Sequence, residues 1–136
     1  MKFDVEEFLS SKGVQFEALR RHEMVKLLAN STIIFPNLIQ SNRILREQNF
    51  GITYDEEAKK LYLSLGAICF FLLPSEGGLQ PYFCKANMPP DVSRLTNDNY
   101  SHSCNELVLL DQNFLWCLVL VNHMDSVGWY FEQIAE

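Results

Sequence analysis

Two runs dominate the hydrophobic pattern of the chain. Leu107 to Leu110 and Phe114 to Val121 are strand-length stretches of aliphatic and aromatic residues, parted by Asp111-Gln112-Asn113. Short polar side chains of that kind favour a turn, so the pair predicts a β-hairpin. The second run is apolar at nearly every position, the pattern of a central strand with one face under helices and the other under loops or a partner.

Before residue 51 the periodicity is helical. Asp4 is placed to cap a short helix that Gly13 stops. From Gln15 to Ala29, Phe16, Leu19, Met24, Leu27 and Leu28 recur every three to four residues, which predicts an amphipathic helix ended by Asn30-Ser31-Thr32. Pro36 biases Phe35 away from helical geometry, so Ile33 to Phe35 reads as extended. A third helix is expected from Pro36 to about Gln48.

After Gly51 the pattern becomes that of strands. Ile52 to Tyr54 and Leu61 to Leu63 flank the charged segment Asp55 to Lys60, which reads as a hairpin loop, and Gly66 as a bulge or bend. Ala67 to Leu73 is a second candidate for a central strand, followed by Tyr82 to Lys85. Asn87 to Asn105 is long and irregular, and such loops in small domains are usually functional or disordered. Val127 to Ile134 reads as either a last strand or a short terminal helix, with the strand through Phe131 preferred. Helices first and strands afterwards predict an α+β fold, with the N-terminal helices packed on one face of a mostly antiparallel sheet. The 136 residues suit one domain, helical over 1–50 and sheet-forming over 51–136.

Charge narrows the partners. Residues 1–50 hold seven Lys or Arg against six acids, whereas residues 51–136 hold four against eleven, so the net charge of −6 is concentrated in the second part. Such a surface repels nucleic acid and anionic lipid and attracts basic partners. No apolar run reaches membrane-spanning length, and the early acids Asp4, Glu6 and Glu7 argue against a secretory signal. The four cysteines, Cys69, Cys84, Cys104 and Cys117, form no zinc-type pair and read as free, mostly buried thiols, which suits a cytoplasmic protein.

Candidate chemistry is sparse. His22 falls on the charged side of a helix. His102 and Cys104 form a His-x-Cys pair, but the negative surroundings oppose a thiolate. His123 and Asp125 follow the strongest strand, where Asn122 and Asp125 read more simply as turn residues. An enzyme using His102, Cys104 or His123 is therefore the lesser expectation, and no cofactor or metal set is evident. Trp116 reads as core. Trp129 and Tyr130 suit either a packed strand or the aromatic anchors of an interface.

The succession of an aliphatic strand, Asp-x-x-Phe-x-Trp from Asp111 to Trp116, a second aliphatic strand, Asn-His-x-Asp from Asn122 to Asp125, and Trp129-Tyr130-Phe131 resembles the C-terminal strands of small bacterial immunity proteins of contact-dependent inhibition and related polymorphic toxin systems. The resemblance implies a non-enzymatic cytoplasmic protein that binds and blocks one toxin domain. Many such toxins are basic nucleases, which agrees with the acidic second part. The expected contact surface joins the loop Asn87 to Asn105 with the turn Asn122 to Ser126: Asp91, Asp98 and Asp125 as an acidic rim, Trp129 and Tyr130 as anchors. The acids Asp55-Glu56-Glu57 are the next candidate. An adaptor subunit with another partner is the alternative.

Overall fold

A computed structural model describes residues 5–39, 43–74, 82–92, 106–123 and 126–134. The elements are α1 (Val5–Ser11), β1 (Gln15–Ala18), α2 (Arg21–Ile34), α3 (Pro36–Ile39), α4 (Arg43–Gln48), β2 (Ile52–Tyr54), α5 (Asp55–Leu63), β3 (Ile68–Pro74), β4 (Tyr82–Ala86), β5 (Glu106–Asp111), β6 (Trp116–His123) and β7 (Ser126–Gln133). The strands form one seven-stranded sheet in the order β1-β4-β3-β5-β6-β7-β2, with every pairing antiparallel.

The β5–β6 hairpin lies in the middle of this sheet, as its two apolar runs predict. Leu107 sits opposite Leu120 and Leu109 opposite Leu118 on one face, with Val108 opposite Val119 on the other. Asp111 builds the turn: its Oδ2 accepts the N–H groups of Asn113 at 3.2 Å and Leu115 at 3.0 Å, while Phe114 adopts a positive φ of 59°. The strand reading of β7 also holds, and it runs on to Gln133.

Both faces of the sheet are covered by helices, rather than one face alone. Leu9 of α1 and Val14 in the link to β1, with Ala58 and Tyr62 of α5, pack on Phe70, Leu109, Leu118, Trp129 and Phe131. Opposite, Leu19, Phe35 and Leu38 from the α2–α3 region pack on Leu73, Val108, Leu110, Val119 and Tyr130. A helical covering on each side is why β5 and β6 are apolar at almost every position.

Five sequence readings change. Gln15–Ala18 is the edge strand β1, paired with β4, and the helix starts only at Arg21. Asn30-Ser31-Thr32 does not end α2, because the Ser31 and Thr32 hydroxyls bond back to the Leu28 carbonyl and the helix continues to Ile34. The expected third helix is two pieces, α3 and α4, with residues 40–42 outside the described residues. The expected hairpin loop and strand from Asp55 to Leu63 are helix α5, whose Ala58 and Tyr62, one helical turn apart, are both buried. Gly66, with φ 75°, follows the last turn of this helix instead of bending a strand.

Arg46 ties α3, α4 and the sheet together. Only 2% exposed, its guanidinium donates to the carbonyls of Leu38 and Ile39 at the end of α3 and to both carboxylate oxygens of Glu106 on β5. It also lies over the Tyr130 ring, 5.3 Å from the centroid. The sequence shows Arg46 only as one more basic residue. The orphan carbonyls of a short helix explain why a cation is buried there.

Candidate interface at the β2 edge

Two of the expected contact residues, Trp129 and Tyr130, are buried. Trp129 is 6% exposed and Tyr130 is 1% exposed, and as neighbours on β7 they point into opposite faces of the sheet. Trp129 lies 5.9 Å from the Tyr62 ring and beneath the Lys59 ammonium, while Tyr130 packs with Val119 and beneath Arg46. Strand alternation buries both rings, so neither is a surface anchor. Asp91 is exposed next to the buried Val92. Asp98, Asp125, His102 and Cys104 lie outside the described residues, and for His123 only the backbone, in β6, is described.

Two of the described thiols, Cys84 and Cys117, lie in surroundings that oppose reactivity. Burial pushes the Cys84 thiol up to about 12. Cys117 is also raised, first by burial and then by Glu132, with Arg46 acting the other way. The thiolate is the reactive form, so both read as core residues. Cys69 is half-buried, and all three are free. His22 is exposed on α2. Among the described residues no group of three or more His, Cys, Asp or Glu is placed to hold a metal ion. No helix among them is long and apolar enough to cross a membrane.

The acidic segment singled out as the second candidate has a defined setting. β2 is the last strand of the sheet, α4 precedes it through Asn49-Phe50-Gly51, and α5 follows it directly. The Asn49 side chain accepts the Gly51 N–H at 2.8 Å and so holds this turn, which leaves Phe50 fully exposed. At the other end of β2, Asp55 adopts a φ of 54° as α5 begins, and its carboxylate accepts the Trp129 N–H at 3.5 Å.

Between these ends runs a groove of about 560 Å³, lined by Glu47, Phe50, all three residues of β2, and Asp55, Glu56 and Glu57. Among the described residues no Lys or Arg lines it, and Tyr54 is 44% exposed. Part of this has a purely structural explanation. Asp55 is held by β7, Glu47 meets the Tyr130 hydroxyl at 3.5 Å, and acids in the first turn of α5 complement its dipole. None of that accounts for a wholly exposed phenylalanine beside a half-exposed tyrosine in one acidic groove. Aromatic side chains at the centre of a charged rim are the usual composition of a protein interface.

The sequence carries Asp55-Glu56-Glu57 openly but gives no sign of Phe50 as an anchor. That residue becomes visible only once the Asn49 turn and the edge position of β2 are known.

No protein-family model, no curated protein and no solved structure matches this chain.

Proposed function

We propose that this chain is a non-enzymatic binding module that takes a basic protein partner in the groove at the β2 edge, and that the partner is a toxin domain which it neutralises in the cytoplasm. The observation that carries the reading is the exposed Phe50 and Tyr54 within an acidic groove that no Lys or Arg among the described residues lines. Four carboxylates, from Glu47, Asp55, Glu56 and Glu57, present a field that steers a cationic surface and repels nucleic acid. Where the partner is a basic nuclease, such carboxylates stand in for the phosphates of its substrate. The resemblance of Glu106 to Phe131 to immunity proteins supports the toxin as partner.

The test is a protection assay. A reading frame immediately upstream that encodes a secreted protein with a basic C-terminal domain supplies the toxin to be co-expressed. Wild-type chain is expected to rescue growth, and a folded Glu56→Lys/Glu57→Lys variant to fail. Equal rescue by both places the contact elsewhere, and no rescue by either removes the toxin reading.

A second reading, an adaptor subunit of a larger assembly, draws on α2, where Val25 is 55% and Ile33 76% exposed. A helix face of that kind suits a permanent protein contact. Light scattering on the purified chain separates the two, since an adaptor of this type is expected to self-associate or precipitate when alone.

A further inference from the structure

The edge of β2 carries more than charge. Among the described residues β2 pairs with β7 alone, with Thr53 opposite Phe131. The Ile52 N–H bonds to the Asn49 carbonyl at 3.1 Å, so it points away from β7. In an antiparallel strand the N–H and C=O of one residue point to the same side and alternate from residue to residue. The Ile52 carbonyl and the Tyr54 N–H therefore face the groove. Tyr54, as the N-cap of α5, commits its own carbonyl to the helix.

Side-chain alternation sorts the two walls. Thr53 lies on the α5 side of the sheet, where Glu56 and Glu57 begin the helix. Ile52 and Tyr54 lie on the opposite side, that of Tyr130, α4 and Glu47. A chain laid along β2 would turn alternate residues towards the acids of α5 and the intervening ones towards Ile52, Tyr54 and Phe50.

We propose that the β2 edge receives an extended segment of the partner as an eighth strand, and that this segment alternates basic and apolar residues. The inference rests on the groove's being the site for a basic partner. The Ile52 carbonyl accepts an N–H of the segment and the Tyr54 N–H donates to one of its carbonyls. Cationic side chains meet Glu56 and Glu57, and apolar ones pack on Tyr54 and Phe50. Main-chain bonds supply register and the alternate side chains supply specificity. The opposite edge, β1, offers no such match, since its exposed residues Gln15, Glu17 and Ala18 include no aromatic ring.

The test uses the full chain and two synthetic peptides of alternating lysine and valine, capped at both ends, one with an ordinary backbone and one N-methylated throughout. Methylation keeps the charges and removes the donors. At low salt the ordinary peptide is expected to shift the amide resonances of Ile52 to Glu57, to slow hydrogen exchange at the Tyr54 amide, and to bind at least tenfold more tightly than its methylated counterpart. Equal affinity for the two overturns strand addition and leaves the acidic groove as a basic-partner site. Shifts confined to other residues, or no shifts with either peptide, overturn strand addition and the groove together.

Discussion

The guanidinium of Arg46 holds both carboxylate oxygens of Glu106, at 3.2 and 3.4 Å, across 60 residues of sequence. Arg46 is 2% exposed and Glu106 is 27% exposed at its side chain, so one charge of the pair lies in the core and the other at its margin. Removing one partner of a buried pair leaves the other uncompensated. Arg46→Ala is expected to destabilise by about 3 kcal/mol, since it also frees the Leu38 and Ile39 carbonyls. Arg46→Lys should also be destabilising, because an ammonium cannot span carboxylate and carbonyls with one planar fork. Urea denaturation reads both, and a loss below about 0.5 kcal/mol for Lys would show that the fork geometry contributes nothing.

Trp116 stacks on Phe131 with ring centroids 6.0 Å apart and is 4% exposed. Trp116→Ala is expected to cost roughly 3–5 kcal/mol through lost transfer free energy and a poorly filled cavity. Equilibrium unfolding checks this. A change under about 1 kcal/mol would contradict the placement of the ring in the core.

Tyr62 separates ring from hydroxyl. Its ring lies 6.0 Å from that of Trp116, but its buried hydroxyl has no hydrogen-bond partner among the described residues. Burial drives its ionisation far above the ordinary phenol range, with Cys84 and Asp91 adding to the effect. Tyr62→Phe should therefore leave stability unchanged or raise it by about 1 kcal/mol. Tyr62→Ala should cost about as much as Trp116→Ala. Parallel thermal melts compare the two, and marked destabilisation by Phe would mean that the hydroxyl is satisfied.

Glu132 links stability to pH. Desolvation raises its carboxyl above the usual carboxylate value, and one of its oxygens is buried without a partner among the described residues. Between the unfolded value, about 4.3, and the higher folded value, the folded chain keeps a proton that the unfolded chain has lost. Stability therefore falls as pH rises through that window, and the penalty is complete above it. Glu132→Gln is expected to melt higher than wild type at neutral pH. The two should converge well below the unfolded value, where the wild-type carboxyl is protonated in both the folded and the unfolded chain. A constant difference at all pH values would assign the effect to packing.

Legibility in the sequence followed burial. The β5–β6 hairpin was readable because uninterrupted apolar runs of strand length, split by Asp111-Gln112-Asn113, have few alternatives. β1 was hidden because a short edge strand puts only Phe16 against the core, and Phe16 with Leu19 also fits helical spacing. α5 was hidden because Leu61-Tyr62-Leu63 resembles a strand fragment, although Ala58 and Tyr62 already stand four apart. Trp129 and Tyr130 were open to two readings for the same reason: an aromatic pair near acids serves a core strand and an interface equally well. The acids of the candidate groove could be seen in the sequence. Their alignment with Glu47 and Phe50 is tertiary, set by β2's lying at the sheet edge between two helices.

The affinity of the proposed basic toxin domain for two charge-reversed variants at low salt tests the central claim most directly. Glu56→Lys/Glu57→Lys is expected to weaken binding at least tenfold, about 1.4 kcal/mol, while unfolding free energy falls by about 1 kcal/mol through the lost complement to the α5 dipole. Asp98→Lys/Asp125→Lys, at the acids first expected to form the contact rim, is expected to change binding less. Undiminished affinity of the Glu56→Lys/Glu57→Lys variant, with loss confined to Asp98→Lys/Asp125→Lys, would contradict the account.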